Sequence, residues 1–410
     1  MIRIIQIAWR NVWRNWRRTT IASVAIVLGL ILLIFLGGLY GGYDEAVFAN
    51  AVRLYGGNIQ IHAPGFRDKS DRMPLIPLED VDQLLQTVMA HPEVRLASQR
   101  INTSGMIIDG GEIYPLTITA IQPSVEEPTS LIAENIIAGR FLVDDDQDFI
   151  VIGRGLAEEV GVGVGDRLTL AGKRKNESIR QRTMTVVGVF DLGLKDAEKG
   201  MLFISLEEAR SLSNLRDQAT EVTISLTEIG MEDQVIGDLQ ASLPGYEVDS
   251  WLTLNPELRQ VLDMGDQMTA FLGLIVVMIA CIGILNLMMM AVFERTREMG
   301  VLAALGMKGR QVMGLFLLEG ALIGAVGAAV GCTLGWLLML TFNATGGIDM
   351  SDYTDMGEIY ALMGDAFYAT IEPLRIIQYG LLIIFMAVLA SLLPAWQAAR
   401  QEPAESLHQL

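Results

Sequence analysis

The sequence predicts an α-helical membrane protein with four transmembrane helices and a large α+β domain inserted between the first and second of them. Hydrophobic residues make up 51% of the 410 residues, and the mean hydropathy of +0.39 is too high for an ordinary soluble protein. Charged residues, at 19%, are too many for a chain lying wholly in lipid. Four apolar stretches are long enough to cross a hydrocarbon core of about 30 Å. The chain therefore combines a membrane part with a water-exposed part.

Residues 1–18 predict a cytoplasmic amphipathic helix in the membrane interface. They contain five arginines and no acidic residue. Trp9, Trp13 and Trp16 follow helical spacing, and Arg10, Arg14 and Arg17 repeat that spacing one residue later. Tryptophan beside arginine is typical of a helix at the lipid headgroups. The alternative is an ordinary basic flank of the first span, which also predicts a cytoplasmic N-terminus.

The four spans are predicted over residues 19–43, 266–293, 311–342 and 375–395. The first predicted span is longer than the apolar region of a cleaved signal peptide. The loop over residues 343–374 contains six acidic residues, and no lysine or arginine occurs between Arg310 and Arg375. By the positive-inside rule, this loop and the large domain lie outside, and both termini, with the tail 396–410, lie inside.

The third span carries a row of glycines and one acidic residue. Glycines at three- and four-residue spacing predict a surface against which another helix packs closely; they are Gly320, Gly324, Gly327, Gly331 and Gly335. Glu319 lies in the same apolar run. We expect it to lie near the headgroups or to pair across the bundle rather than to transfer protons.

Residues 44–265 predict one large domain of the α+β class, with one or two subdomains. Strand-like segments recur at 58–62, 116–121, 149–152, 167–170, 184–190, 201–204 and 221–226. Helical patterns lie between them, at 79–90, 155–160, 206–213 and 231–242.

A short charged segment, residues 294–310, joins the second and third spans. Glu294, Arg295, Arg297 and Glu298 place four charges within five residues, and each would cost about 3 kcal/mol at the centre of a bilayer. We therefore expect all four to face water. Because the apolar residues after them fall on one helical face, the segment predicts a surface helix that docks on a soluble partner.

This segment also carries a family resemblance. The run ERTREMGVLAALG, from Glu294 to Gly306, resembles the coupling-helix signature of ABC transporter permeases of the lipoprotein-releasing, macrolide-exporter and FtsX type. Residues 151–170 and 186–194 resemble the MacB-like periplasmic core domain of that family. The resemblance implies contact with a cytoplasmic ATPase through Glu294, Arg295, Thr296, Arg297, Glu298, Met299, Gly300, Leu302, Leu305 and Gly306.

Several kinds of chemistry are excluded or assigned to partners. No phosphate-binding loop of the Gly-x-x-x-x-Gly-Lys-Ser/Thr type is present, so we expect no catalysis and no cofactor in this chain, and ATP and Mg²⁺ bound by a partner ATPase. The three histidines are isolated, which predicts no metal site. The net charge of −18 argues against nucleic acid as a partner.

The resemblance is closest to the lipoprotein-releasing branch, which implies a bacterial inner-membrane permease subunit that extracts a lipoprotein or another lipidic substrate from the outer leaflet. It implies an ATPase dimer, a second permease chain, identical or different, membrane lipids, and a periplasmic lipoprotein carrier or adaptor as partners. A substrate cavity between the first two spans would be lined by Leu32, Phe35, Leu36, Leu39, Met268, Phe271, Leu272 and Ile275. Residues 171–182 are short and basic where the carrier-binding chains of that branch have a longer, apolar-tipped excursion.

Two alternatives come from other branches. One is an FtsX-type signalling permease that transports nothing and activates a periplasmic cell-wall enzyme. The other is a macrolide-exporter-type efflux permease. The size of the domain between the first two spans favours transport over signalling, since FtsX-type members usually have a smaller one.

Overall fold

The computed structural model describes residues 10, 11, 14, 16–193, 195–228, 230–296, 298, 299, 301, 306–349 and 366–400. The chain divides into two compact units. The helical unit comprises residues 1–45, 262–348 and 367–410, and the β-rich unit comprises residues 46–261 and 349–366.

The helices are numbered α1 to α12 in chain order: Trp16–Tyr55, Val81–Met89, Pro123–Glu126, Leu131–Glu134, Arg154–Val160, Lys195–Lys199, Leu206–Ser213, Glu232–Ser242, Trp251–Leu254, Pro256–Glu294, Gly309–Ala344 and Pro373–Arg400. A 3₁₀ helix covers Arg67–Arg72. Among the described residues, α1, α10, α11 and α12 are long and apolar enough to cross a membrane. Helix α1 continues past residue 43, the predicted end of the first span, to Tyr55, because the chain from Asp44 to Tyr55 contains no proline and continues the helical hydrogen bonds.

The strands are numbered β1 to β12: Ile59–His62, Val94–Asp109, Glu112–Ile121, Ile136–Gly139, Phe149–Gly153, Arg167–Lys173, Ile179–Phe190, Met201–Ser205, Glu221–Leu226, Glu247–Ser250, Ile348–Asp349 and Ala366–Phe367. All seven predicted strand segments and all four predicted helices of the domain are confirmed. Strands β2, β4 and β10 were not predicted, so the unit contains more sheet than expected.

Strand β2 belongs to two sheets. The first sheet has the order β10-β1-β9-β2, and the second has the order β2-β3-β8-β5-β7-β4, with β6 paired to β2 and β7. The first half of β2 pairs with β9, as in Arg100 opposite Glu221, and the second half pairs with β3 and β6. Each sheet buries its own hydrophobic core, the first beneath α2 and α8 and the second beneath α5 and α7.

In the helical unit, the glycines of α11 bring it close to two other helices. A Cβ added at Gly327 or Gly331 would lie 2.9 Å from Ile26 or 2.8 Å from Leu30, both on α1. Gly335 faces α1 in the same way, whereas Gly320 and Gly324 face Ser391 and Ala387 of α12. Because only glycine leaves room at these contacts, the row packs α11 against α1 along one half and against α12 along the other.

Candidate coupling site

A buried ion pair lies where α10 ends. Arg295 Nη1 donates to Glu319 Oε1 at 3.0 Å and to Oε2 at 3.3 Å. The side chains are only 7% and 4% exposed. Glu319 projects from α11, so the pair joins the residue that follows α10 to the first third of the next long helix. A charge buried this deeply requires a partner of opposite charge, and Arg295 and Glu319 are each other's partner.

The N-terminal segment completes the cluster. Asn11 Nδ2 donates to Glu319 Oε1 at 2.6 Å, and Arg295 Nη2 donates to the backbone oxygen of Asn11 at 3.2 Å. We call Asn11, Arg295 and Glu319 the Arg295 network. Its three members come from the N-terminal segment, the residue that follows α10, and α11, so Arg295 links these three parts of the chain.

The backbone at Arg295 has the hydrogen bonding of a helix end. Its N–H is shared between the carbonyl oxygens of Ala291, at 3.2 Å, and Val292, at 3.3 Å, which is typical of a helix end. Helical hydrogen bonding resumes from Met299 N–H to Arg295 O at 3.0 Å. Met299 itself packs into the core of the helical unit with Val292 and Val312. The segment is therefore fixed to the bundle at two points, Arg295 and Met299.

A second, exposed ion pair lies beside the network. Arg14 Nη2 lies 2.9 Å from Glu298 Oε2, and the two side chains are 53% and 58% exposed. Asn11 and Arg14 are three residues apart, as are Arg295 and Glu298, so one face of each segment contacts the other. An exposed pair contributes about 0–1 kcal/mol, and the buried network therefore dominates this contact.

The prediction that all four charges of residues 294–298 face water is wrong for Arg295. Glu294 and Glu298 are exposed, but Arg295 is buried because Glu319 and Asn11 satisfy it. Thr296 donates to the carbonyl oxygen of Val292 at 3.0 Å, and Gly306 has a positive φ of 93° in the turn before α11. The other residues predicted to contact the ATPase lie outside the described part of the chain: Arg297, Gly300, Leu302 and Leu305.

The eight residues predicted to line a cavity differ in how far they are exposed. Leu32, Met268 and Phe271 are exposed on the helical unit. Phe35 and Leu39 pack instead against the cluster of Ile34, Met339 and Ala369. The remaining three, Leu36, Leu272 and Ile275, are partly buried.

Small residues place α1 and α10 in direct contact. A Cβ added at Gly29 would lie 2.7 Å from Val276, and one at Gly273 would lie 3.4 Å from Leu33. Of the predicted set, Leu32, Met268 and Phe271 are the most exposed.

The basic stretch in residues 171–182 forms the β6–β7 hairpin, and its charges are largely engaged. Arg182 pairs with Asp148 at 2.7 Å and with Glu208 at 2.6 Å. Arg180 donates to the carbonyl oxygen of Ser211 at 2.7 Å. These contacts stabilise the second sheet.

Sequence reasoning missed Asn11 as a member of the site. Glu319 carried a signal, because an acidic residue in an apolar run predicts a partner across the bundle. Nothing in the sequence indicated Asn11, since an asparagine among arginines and tryptophans is expected to be a surface residue of the predicted interfacial helix.

Comparison with known proteins places these features in context. A family model described as FtsX-like permease C-terminal matches residues 270–403, and one described as MacB-like periplasmic core domain matches residues 19–242. The chain is 25% identical to the lipoprotein-releasing system transmembrane protein LolC of Xylella fastidiosa strain 9a5c, over 95% of this chain and 93% of the relative.

Two other similarities concern macrolide exporters. The chain is 25% identical to the macrolide export ATP-binding/permease protein MacB of Nitrosomonas europaea, over 82% of this chain but only 52% of that relative. The periplasmic region of MacB from Actinobacillus actinomycetemcomitans aligns with a TM-score of 0.34 at 14% identity, over 50% of this chain and 94% of that one.

Proposed function

The chain belongs to the family of ABC transporter permeases that combine a MacB-like periplasmic core domain with an FtsX-like C-terminal region, and on that premise we propose that it extracts a lipoprotein or another lipidic substrate from the outer leaflet of the bacterial inner membrane. The observation that carries this proposal is the similarity to the lipoprotein-releasing relative, which extends over nearly the full length of both chains. The similarity to the macrolide exporter covers only about half of that protein.

In this proposal, both termini and the segment after α10 lie in the cytoplasm, and the β-rich unit and the acidic loop lie in the periplasm. Two permease chains work with two ATPase subunits, which bind ATP and Mg²⁺. The exposed apolar side chains of Leu32, Met268 and Phe271 would then contribute to a substrate cavity completed by the second permease chain.

The Arg295 network suggests how ATPase motion reaches the membrane. A push on the segment at Glu298 and Met299 displaces Arg295, and the ion pair with Glu319 carries that displacement to α11. The glycine contacts of α11 at Gly327 and Gly331 pass it to α1. Helices α1 and α10 are each continuous along their length, so they transmit movement as rods rather than absorbing it.

The test is an ATP-dependent release assay. The full chain is purified with its partner permease and ATPase, reconstituted in nanodiscs with a fluorescent triacylated lipoprotein, and the fluorescence that leaves the nanodisc is followed after ATP is added. Glu298→Arg reverses the charge that pairs with Arg14. Glu45→Arg makes the same change at an exposed position of α1 away from the site and serves as the matched control.

Release that requires ATP, persists in the Glu45→Arg variant and is lost in the Glu298→Arg variant would support extraction. ATP hydrolysis without any release, together with activation of an added periplasmic cell-wall hydrolase, would overturn extraction and support the signalling function instead. ATP-driven movement of a macrolide in place of lipoprotein would support the efflux function.

A further inference from the structure

The β-rich unit contains a cavity of about 450 Å³ where its two sheets meet at β2. The volume lies within the range of about 300–1,000 Å³ that is usual for small-ligand sites. Its lining includes the end of α1, at Leu54 and Tyr55, and the two residues that precede α10, Leu254 and Asn255. A ligand held there would contact residues adjoining both long helices.

Gln60 presents a polar side chain to this cavity. It alternates along β1 with Ile59 and Ile61, which face the core of the first sheet, so its side chain lies on the opposite face, toward the cavity. Gln60 is only 7% exposed, yet its carboxamide makes no hydrogen bond to any residue that the structure describes. Neither polar atom of this carboxamide is fully buried, so water at the cavity surface satisfies it when no ligand is present. A ligand with an adjacent donor and acceptor would replace that water.

Two further carboxamides at the cavity keep an unused acceptor. Asn102 Nδ2 donates to Glu221 Oε1 at 2.7 Å, while Asn102 Oδ1 has no partner among the described residues. Asn255 Nδ2 donates to the carbonyl oxygen of Trp251 at 2.7 Å, which leaves its Oδ1 available. Together with Gln60, they present neutral donors and acceptors to a ligand.

The charges at the cavity are already paired. Arg100 binds Glu126 through Nε at 3.0 Å and donates to the Tyr55 carbonyl oxygen at 2.8 Å. Burial alone would lower the pKa of Arg100, but the charge of Glu126 outweighs it and raises the pKa. Glu221 accepts from Asn102 and contacts His62 at 3.2 Å. A charged ligand would therefore find no free counter-ion here.

The opposite wall is apolar. Phe66 stacks on His62 with a centroid separation of 3.6 Å, and its ring lines the cavity beside Met73, Met201 and Phe203. A ligand that fits both walls is uncharged, offers adjacent hydrogen-bond donors and acceptors, and carries apolar groups.

We propose that this cavity binds a short, uncharged peptide segment of another protein. A carboxamide places a donor and an acceptor side by side, which matches the N–H and C=O of a peptide group. The methionine and phenylalanine side chains adapt to apolar side chains of the peptide. A sugar fits less well, because its hydroxyl groups would lose hydrogen bonds to water against the apolar wall of Phe66, Met73 and Phe203.

The experiment is saturation-transfer NMR on the full chain in nanodiscs, with the blocked tripeptide acetyl-Ala-Leu-Ala-amide as probe and no ATPase or ATP present. The result therefore tests peptide binding at the cavity independently of lipoprotein extraction. Gln60→Leu removes the unpaired carboxamide. Gln181→Leu makes the same change at an exposed position of β7 and is the matched control.

We expect the wild type and the Gln181→Leu variant to show saturation transfer to the peptide, and the Gln60→Leu variant to bind it roughly tenfold more weakly. The Gln60→Leu variant should unfold at about the same temperature as the wild type, since the Gln60 carboxamide makes no hydrogen bond within the described residues that the change would break. Unchanged peptide binding in the Gln60→Leu variant would overturn the assignment. So would saturation transfer to methyl β-glucoside but not to the peptide.

Discussion

Neutralising Glu319 tests whether the buried ion pair stabilises the helical unit. In the Glu319→Gln variant the side chain keeps its shape and can still accept a hydrogen bond from Asn11, but the charge facing Arg295 is gone. Both members of the pair are less than 10% exposed. Removing one partner of such a pair leaves an uncompensated buried charge and costs about 3–5 kcal/mol.

Removing the other partner should cost a similar amount of stability, because Arg295→Met leaves the carboxylate of Glu319 buried without a partner of opposite charge. In the double variant neither charge remains, so most of the loss should be recovered; replacing a buried pair by uncharged groups is often close to neutral. The coupling energy in this double-mutant cycle should therefore exceed about 2 kcal/mol.

The measurement is unfolding of the purified chain in mixed micelles by increasing SDS, followed by far-ultraviolet circular dichroism. Glu298→Gln is the control, since it neutralises an acidic residue whose pair with Arg14 is more than half exposed and should cost about 0–1 kcal/mol. If the Glu319→Gln variant is no less stable than that control, or if the losses of the two single variants simply add, the ion pair does not hold the segment to α11.

Three further outcomes follow from the structure. Gly331→Ala should destabilise the chain by about 1–3 kcal/mol, because the added Cβ would lie 2.8 Å from a leucine of α1; Gly314→Ala, in the same helix with open space around it, should be neutral or stabilising in the same SDS titration. Although burial alone would raise the pKa of Glu221, its hydrogen bond and attraction to a neighbouring histidine outweigh burial and lower that pKa. The resulting stability should be complete above the unfolded-state pKa of about 4.3 and be lost as the pH falls through the folded-state value. The unfolding temperature of the wild type should therefore fall more steeply with acid than that of the Glu221→Gln variant. Arg14→Ala should cost about 0–1 kcal/mol at low salt and nothing measurable at high salt, since the pair with Glu298 is screened.

The elements whose pattern depends on apolar periodicity could be predicted from the sequence. The four long apolar helices and strands such as β5 and β8 consist mainly of hydrophobic residues that face a core, so composition and alternation identify them. The resemblance of residues 294–306 to a coupling segment could be recognised from the amino-acid sequence alone. The contacts of Arg295 could not be predicted in this way, because burial of a charge depends on a partner that is distant in sequence.

Strand β2 shows why part of the sheet was missed. Ser98, Arg100 and Thr103 are buried on it, whereas a pattern-based prediction expects apolar residues at buried positions. Their burial is tolerated because Glu126 accepts hydrogen bonds from Ser98 and Arg100, a carboxylate more than twenty residues away. The cavity was not predicted either. A glutamine in a strand of alternating polar and apolar residues is expected to face solvent, so nothing in the sequence indicated that Gln60 faces a cavity.

Sharing β2 between two sheets also bears on how the β-rich unit folds and how it can be divided. Neither sheet is complete without this strand, so the two hydrophobic cores should be lost in one cooperative step, with amide protons of β9 and β3 exchanging at similar rates. Cutting the unit between the sheets would leave β9 or β3 with an unpaired edge, which promotes aggregation. Fragments intended for biophysical work should therefore keep Val94–Asp109 together with the strands on both sides of it.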